Sequence, residues 1–319
     1  MKIKINVKNY FKYNIKIKNI YINYRIDFFL KKNFIYLKKK KIKILIENNF
    51  ILINKNYIKY KYRIKKKDIL EIKIPKLILN NNTRNQKNNV LFSDKDILMV
   101  NKLTGVPIHP DNNYSALTLS NFLSFEFKKL PIIKNYEYRS GVVHRIDKNT
   151  SGLLIITKNK KSTINLLKKF KKYFINKTYY AIIWNSAIKK EGKISINIKK
   201  YKKNFTYYKV IKNFKYTSLL ECILKTGKTH QIRTHLKYTG NTVFNDKRYY
   251  GNKIINIINL KRYKFYIKNC FNIISRQALH AKNLNFFHPI NKKYMSFNSE
   301  IPEDFKKIIK KLNKFIKIK

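Results

Sequence analysis

The residues best suited to chemistry are concentrated in one part of this chain. All seven glycines and all six histidines lie between residues 105 and 288. The densest segment runs from Gly141 to Gly152 and reads Gly-Val-Val-His-Arg-Ile-Asp-Lys-Asn-Thr-Ser-Gly, whereas Lys, Asn, Ile, Tyr and Phe dominate the rest of the chain. We therefore expect the functional site in the middle of the chain, on or beside this segment.

The charge of the chain is strongly positive. Its formal net charge is +57, from 73 basic and 16 acidic residues. Such an excess usually indicates a nucleic-acid partner, because Lys and Arg release counterions from phosphate backbones. Codon drift in an AT-rich genome would enrich the same lysines, so the charge alone does not decide the matter. Arginine is harder to explain by drift, and three of the nine arginines lie in or beside the motif segments, namely Arg139, Arg145 and Arg233.

Length and composition predict an ordinary globular protein. With 319 residues, 44% of them hydrophobic, the chain has enough material for about two domains with proper cores. Lysines interrupt the N-terminal region every second or third residue, so we predict neither a signal peptide nor a membrane span and expect a cytoplasmic protein. Cys222 and Cys270 lack a C-x-x-C partner, which favours two core thiols over a disulfide or a thiolate metal site.

The first 75 residues predict a small α/β domain. Alternation of apolar and basic residues predicts short strands before residue 22, and apolar spacings of three and four predict helices over 25–34 and 37–48. Segments 50–54 and 57–74 alternate again and predict a β-hairpin with turns at 54–56 and 66–68. The arrangement resembles the S4 RNA-binding module; a generic basic appendage is the alternative. Asn49, Lys55 and Lys67 replace glycines usual in that module, and lysine tolerates a positive φ poorly.

Residues 76–89 are polar and low in complexity, which predicts a linker between domain 1–75 and a second domain over 90–319. In the second domain we predict helices over 115–130 and 162–172 and a final helix opened by Pro302. The predicted strands are 96–101, 152–157, 178–184, 192–198, 207–212 and 217–226. The fold class is therefore α+β: a small S4-like αα-β-hairpin domain, then a domain with a large mixed, mainly antiparallel sheet flanked by helices.

The segment His144-Arg-Ile-Asp147 follows two valines, so we expect an extended backbone. In an extended chain residues 145 and 147 point to the same side, which places Arg145 and Asp147 on one cleft and His144 on the opposite face. A turn or capping role for Asp147 is the alternative. We predict no metal site, because His230 and His235 lack the H-E-x-x-H pattern.

At residues 144–152 the chain resembles the signature of the RluA-type pseudouridine synthases. Further segments match that family in the same order, and together they cover about residues 90–310. They are residues 101–110, 177–181, 226–236, 246–251, 276–281 and 287–289. With an S4-like module ahead of them, they look most like the D branch, which modifies large-subunit ribosomal RNA.

The resemblance implies an isomerase that converts uridine to pseudouridine in ribosomal RNA without cofactor or metal. It implies that Asp147 acts as nucleophile or base at the sugar, that Arg233 is its basic partner, and that Tyr179 stacks on the uracil and serves proton removal at C5. A target uridine must be flipped out of its stack. We assign the RNA-binding and base-flipping role to Arg145 and His144. Because the side chain of His144 points to the opposite side of the extended segment from Asp147, a structural role inside the motif is favoured for it.

Two other functions compete with this interpretation. One is a catalytically idle RNA-binding factor in ribosome assembly, which the presence of all four motif side chains disfavours. The other is a synthase acting on transfer RNA, which the S4-like module disfavours. The identity of the modified uridines and the oligomeric state do not follow from the sequence.

Overall fold

The computed structural model describes residues 2–6, 10–33, 39–75, 90–108, 119, 131, 141–185, 189–196, 204–254 and 261–316. These residues belong to two compact units. The predicted linker 76–89 and nearly all of the predicted helix 115–130 lie outside the described residues. None of the helices in the described ranges is long and apolar enough to cross a lipid bilayer.

The first unit comprises residues 1–98, 106–143 and 156–163 and contains a four-stranded antiparallel sheet. Its strands are β1 (Lys2–Asn6), β2 (Tyr10–Lys16), β3 (Ile51–Ile53) and β4 (Ile69–Pro75), in the order β1-β2-β4-β3. Two helices, α1 (Ile26–Asn33) and α2 (Lys39–Glu47), connect β2 to β3. These bounds confirm the early strands and the two helices that the sequence predicted.

The helices of this unit bury the apolar positions that their spacing indicated. Ile26 and Leu30 on α1 and Ile42 on α2 are completely buried, and every residue of β3 is buried as well. Because each helix has one apolar stripe, burying that stripe stabilises it more than its helix propensity does.

The second strand of the predicted hairpin is shorter than expected. The alternation over 57–74 predicted a strand, but only Ile69–Pro75 pairs with β3, and the residues from 57 to 68 form turns and loops. The physical reason is Asp68, which is buried and accepts hydrogen bonds from the Asn54 amide, the Tyr62 hydroxyl and the Lys65 backbone N–H. The segment turns back on itself because these donors must reach the buried carboxylate of Asp68. The alternation of apolar and polar residues does not indicate this requirement.

The turns of this unit have the backbone conformation for which glycine is usual. Asn49, Asn54, Lys55 and Lys67 all have φ between 51° and 70°. The two lysines thus occupy the left-handed region, which costs a residue with a Cβ about 1 to 2 kcal/mol.

The second unit comprises residues 99–105, 144–155 and 164–319 and contains most of a large mixed sheet. The order of its strands is β6-β7-β12-β8-β11-β10-β9, and β13 pairs with β12. β7 and β12 run parallel, whereas the other registered pairs are antiparallel, so the predicted mixed, mainly antiparallel sheet is confirmed. The bounds are β5 (Val90–Ser93, in the first unit), β6 (Ile97–Lys102), β7 (Ser151–Thr157), β8 (Asn176–Trp184), β9 (Glu191–Ile196), β10 (Asn204–Asn213), β11 (Thr217–Leu224), β12 (Leu279–Phe287) and β13 (Tyr294–Asn298).

Four further helices complete the described elements. They are α3 (Lys160–Lys171), α4 (Gln231–Tyr238), α5 (Lys261–Ile273) and α6 (Glu303–Ile316). Pro302 directly precedes α6, as predicted, and the apolar residues Phe305, Ile308 and Leu312 of this helix are buried. Helices α4 and α5 and the strands β12 and β13 were not predicted, and β12 lies between β7 and β8 in the sheet.

Candidate active site

A cleft open to solvent lies in the second unit. Its lining comes from the loop before β7, from strands β8 and β11, from the start of α4, and from Leu279 at the start of β12. The lining residues are Arg145, Ile146, Asp147, Thr150, Tyr179, Leu224, Gly227, Lys228, Thr229, His230, Gln231, Ile232, Arg233 and Leu279. Four of the five residues predicted for the site therefore line one cleft.

Asp147 is held from one side by Arg233. Nη1 of Arg233 donates to Oδ2 of Asp147 over 2.7 Å, across 86 positions of sequence. The side chain of Asp147 is 16% exposed and that of Arg233 is 7% exposed, so this ion pair is only weakly screened by solvent. Oδ1 of Asp147 accepts no hydrogen bond from the described residues, and Asp147 lines the cleft.

A second carboxylate orients the arginine. Asp246 accepts from Nε and Nη2 of Arg233 over 2.6 Å and 2.8 Å, and it is fully buried. Such a bidentate contact fixes the plane of the guanidinium group, because two parallel N–H bonds allow one orientation. Asp246 also accepts from the backbone N–H groups of Arg248 and Tyr249, which caps a short 3₁₀ turn. Arg233 therefore reaches Asp147 in a fixed geometry.

His230 approaches the other oxygen of Asp147. Its Nε2 lies 3.6 Å from Oδ1 of Asp147, and its Nδ1 lies 2.9 Å from the Tyr249 hydroxyl oxygen. Tyr249 in turn packs against Arg233, whose guanidinium carbon is 5.0 Å from the centroid of the ring. The sequence reasoning assigned no role to His230, Tyr249 or Asp246, although each lies in a segment that matches the family.

Tyr179 lies on β8 and lines the same cleft. It is only 8% exposed, and burial together with the charge of Asp147 raises the pKa of its hydroxyl above the usual value. Tyr179 is therefore a neutral phenol at neutral pH. Tyr180, its neighbour on the strand, is not part of the cleft lining and contacts Lys282 instead, as the alternation of a strand requires.

Arg145 and His144 are neighbours in sequence but have different environments in the structure. Arg145 is exposed at the cleft, and its guanidinium has no ion-pair partner among the described residues. The His144 ring stacks on Phe170 with centroids 4.9 Å apart, and its Nε2 accepts from the backbone N–H of Ile155. Burial, with Lys177 nearby, lowers the pKa of His144 to about 3, so the ring is neutral. This placement favours the structural role of His144 over a role in base flipping.

Two buried basic side chains hold the backbone of the turn that follows Asp147. Nζ of Lys102 donates to the carbonyl oxygen of Lys148, and Nη1 of Arg276 contacts that of Asn149. Burial, followed by repulsion from Arg276, lowers the pKa of Lys102 to about 7, whereas Asp147 opposes that shift. The carbonyl groups of this turn thus have partners, so the turn keeps one conformation.

The Thr-Ser-Gly end of the motif anchors the turn to β12. Gln277 donates to the Thr150 hydroxyl, and the Ser151 hydroxyl is 2.9 Å from Nδ1 of His280. Gly152 has φ of +112°, and a Cβ at this position would overlap the backbone of Ala281. Glycine is required here because β7 and β12 approach closely.

Comparison with known proteins gives one consistent result. Residues 96–238 match a family model described as RNA pseudouridylate synthase. The chain is 30% identical over 315 residues to "Ribosomal large subunit pseudouridine synthase D" of Blochmanniella floridana, covering 92% of this chain and 95% of that protein. It is 33% identical over 309 residues to "Ribosomal large subunit pseudouridine synthase C" of Buchnera aphidicola subsp. Acyrthosiphon pisum, covering 89% and 92%.

A solved structure shares the fold. The chain matches "Human RNA Pseudouridylate Synthase Domain Containing 4" with a TM-score of 0.55 and 18% identity, over 70% of this chain and 93% of that one. At this identity the match shows the fold alone.

Proposed function

Since the chain belongs to the RNA pseudouridylate synthase family, we propose that it converts uridine to pseudouridine in large-subunit ribosomal RNA, with Asp147 as the reacting carboxylate. The observation that carries this proposal is the pairing of Asp147 with Arg233 at an open cleft, with one carboxylate oxygen left free. The two bacterial relatives are named for ribosomal large-subunit RNA, which supports that substrate. A cytoplasmic location is part of the proposal.

The proposed reaction is a rearrangement within one nucleotide. The bond between C1′ of the sugar and N1 of uracil breaks, a bond between C1′ and C5 forms, C5 loses a proton and N1 gains one. No electrons are lost or gained, so the reaction needs no redox partner. The free oxygen of Asp147 either attacks the sugar or removes a proton from it, and both steps need an ionised carboxylate. Arg233 supplies the compensating charge.

Tyr179 is proposed to serve the removal of the C5 proton late in the reaction: its oxygen accepts that proton as the hydroxyl passes its own proton to solvent, and solvent supplies the proton that N1 gains. In the resting site burial and Asp147 keep this phenol protonated. If Asp147 forms an ester with the sugar, its negative charge is lost, and one of the two causes of the high pKa disappears. Once Asp147 has reacted, the Tyr179 hydroxyl gives up its own proton more readily, so proton removal from C5 follows the step at the sugar.

Arg145 is proposed to hold the place of the flipped uridine. The cost of flipping is on the order of a few kcal/mol, so a side chain that fills the gap in the base stack speeds the reaction. An exposed guanidinium at the cleft, with no protein partner among the described residues, is free to stack on bases.

The N-terminal residues 1–75 are proposed to be an S4-like RNA-binding domain, joined by a linker over 76–89 to the catalytic domain 90–319. The two helices and the antiparallel hairpin of the first unit support this proposal, together with its many lysines. Ribosomal RNA is the proposed partner, and neither a membrane nor a small-molecule cofactor is part of the proposal.

Tritium release tests the reaction. The substrates are transcripts of large-subunit ribosomal RNA and of transfer RNA, each labelled at C5 of uracil. We expect the wild type to release tritium from the ribosomal transcript, and Asp147→Asn to be slower by at least about 10³-fold with similar RNA affinity. Equal background release from both proteins would support the idle binding factor, and release from transfer RNA alone would overturn the ribosomal substrate.

The role of Arg145 is tested by Arg145→Ala in the same assay. We expect kcat to fall by about 10- to 100-fold, a change that corresponds to about 1.4 to 2.8 kcal/mol of flipping cost no longer offset. Arg262→Ala is the matched control, because Arg262 is an exposed arginine of the same unit on α5. An equal effect of both substitutions would mean that only total charge matters.

A further inference from the structure

We propose that His230 positions the free oxygen of Asp147, and that Tyr249 stabilises the tautomer of the His230 ring that suits this task. The inference rests on the proposed function, because Asp147 is there the carboxylate that reacts with uridine. It gives Arg233 and His230 separate roles, one at each oxygen of the same carboxylate.

The first observation is the backbone of His230. Its φ is 55° and its ψ is 22°, so it lies in the left-handed region directly before α4, and its side chain does not cap the helix. For a residue with a Cβ this conformation costs about 1 to 2 kcal/mol. Strain of this kind persists where surrounding structure enforces it, and it is concentrated at functional sites. At His230 the conformation turns the imidazole toward Asp147.

The second observation is the geometry of the two carboxylate oxygens. Oδ2 of Asp147 is bound by Arg233 at 2.7 Å, whereas Oδ1 faces Nε2 of His230 at 3.6 Å. A distance of 3.6 Å is longer than a hydrogen bond, so Oδ1 is directed by the imidazole without being tied to it. The oxygen that must react therefore has a preferred position and remains available.

The third observation concerns the proton on the ring. Nδ1 of His230 is 2.9 Å from the Tyr249 hydroxyl oxygen. When the hydroxyl donates to Nδ1, the ring proton stays on Nε2 and points at the carboxylate. The other tautomer would direct the Nε2 lone pair at a negative oxygen, which is repulsive. The Asp147 carboxylate thus favours the Nε2–H form, and the Tyr249 hydroxyl stabilises that form by donating to Nδ1.

A single buried carboxylate, that of Asp246, binds both Arg233 and Tyr249, the two residues that act on the oxygens of Asp147. Asp246 binds Arg233 through two hydrogen bonds and also accepts from the backbone N–H of Tyr249. Arg233 reaches Oδ2 directly, and Tyr249 reaches Oδ1 through His230. Asp246 therefore fixes the positions of Arg233 and Tyr249 relative to each other.

The charges around His230 set its response to pH. Burial lowers the pKa of the imidazole below its ordinary 6.5; Asp147 opposes this shift, Arg233 and Arg248 add to it, and Asp246 also opposes it. The ring is therefore neutral at neutral pH. Protonation at lower pH would convert the loose contact into an ion pair with Oδ1, and an oxygen in an ion pair is a weaker nucleophile. We expect kcat to fall as pH drops through the pKa of His230, with Tyr249 as the other ionisable neighbour.

Steady-state kinetics with C5-tritiated ribosomal transcript test the proposal. We expect His230→Ala to lower kcat by about 10- to 100-fold with KM little changed, because a misplaced reacting group affects the chemical step. His230→Gln keeps an N–H donor and should recover most of that loss, while its kcat should lose the acid limb caused by imidazole protonation. Tyr249→Phe should lower kcat less than His230→Ala does.

The matched control is His235→Gln. His235 lies on the same helix and is buried, but it does not line the cleft, so kcat should stay at the wild-type value. A wild-type kcat in His230→Ala, or an effect of that variant on KM alone, would overturn the positioning role.

The tautomer provides a readout that does not need activity. In ¹⁵N-labelled wild-type and Tyr249→Phe protein, imidazole nitrogen shifts distinguish the Nε2–H form from the Nδ1–H form, and six histidines are few enough to assign by substitution. We expect Nε2–H at His230 in the wild type and a mixture of the two forms in Tyr249→Phe. An Nδ1–H form in the wild type overturns the inference, whereas absence of tritium release by the wild type would overturn only the proposed function.

Discussion

Asp68 in the first unit and Asp147 in the second are both carboxylates surrounded by donors, yet they are used differently. Asp68 accepts from three groups that involve both of its oxygens, and it is 3% exposed. Asp147 accepts at one oxygen from Arg233, its other oxygen accepts no hydrogen bond from the described residues, and Asp147 lines an open cleft. A carboxylate whose two oxygens are both bound stabilises a fold, whereas one with a free oxygen and a compensating cation is available for chemistry.

Asp246 belongs with Asp68 in this comparison, although it lies next to the active site. Both of its oxygens are bound, and its environment contains a cation that Asp68 lacks. Its contribution to catalysis is therefore indirect, through the orientation of Arg233 and the position of Tyr249.

The largest expected effect comes from Asp246→Asn. Removing this charge leaves a buried arginine with one carboxylate partner, and breaking a buried ion pair of this kind costs about 3 to 5 kcal/mol. We expect lower urea midpoints, reduced amide-exchange protection in β8 and β11, and a fall in kcat. Asp246→Glu, which keeps the charge, should be less destabilised. Unchanged protection in Asp246→Asn would mean that Arg233 is held by Asp147 alone.

A smaller, local effect is expected from Asp68→Asn. The amide cannot accept at both positions, so one or more buried donors lose their partner, at a cost of about 1 to 3 kcal/mol. Amide exchange should quicken in β3 and β4, whereas β8 and β11 should keep their protection because they belong to the other unit. Loss of protection in both units at once would contradict the view that Asp68 stabilises only its own sheet.

The smallest expected effect is a gain in stability from Lys55→Gly. Lys55 has φ of 69° and is exposed, so glycine relieves backbone strain without removing a packed side chain. The net gain should be about 0.5 to 1 kcal/mol, after the entropy cost of glycine in the unfolded chain is subtracted. Lys59→Gly, at an exposed residue of the same loop without a positive φ, should be destabilising when the free energies of unfolding are measured in urea. A gain at both positions would mean that strain at Lys55 is not the cause.

Local patterns predicted much of the fold. The spacing of apolar residues identified α1 and α2, and the helices predicted over 162–172 and after Pro302 correspond to α3 and α6. The content of aliphatic and aromatic residues identified the four strands from β8 to β11. The failures have local causes. Helix α5 begins at residue 261 with Lys-Arg-Tyr-Lys, in a stretch where lysine and aromatic residues obscure any apolar face, and β12 mixes buried apolar with buried polar residues such as His280.

The sequence predicted most residues of the candidate site but not the hydrogen bonds and ion pairs between them. The motif pointed to Asp147, Tyr179, Arg233 and Arg145, and all four line the cleft. Asp246 and His230 stood in matching segments, but nothing local distinguishes an aspartate that orients an arginine from one that caps a turn. Asp246 does both, and only the fold shows the first role.

The sequence by itself determined which chemical groups are present and which stretches form helices or strands, because helix and strand periodicities and turn preferences act over a few residues. The tertiary structure alone decided which oxygen of Asp147 is bound and which is free, since its partners come from residues 83 to 86 positions away in the chain. Contacts over that separation depend on how β7, β8 and β12 pair, and hydrogen-bond geometry at a few ångströms then determines what each side chain can do.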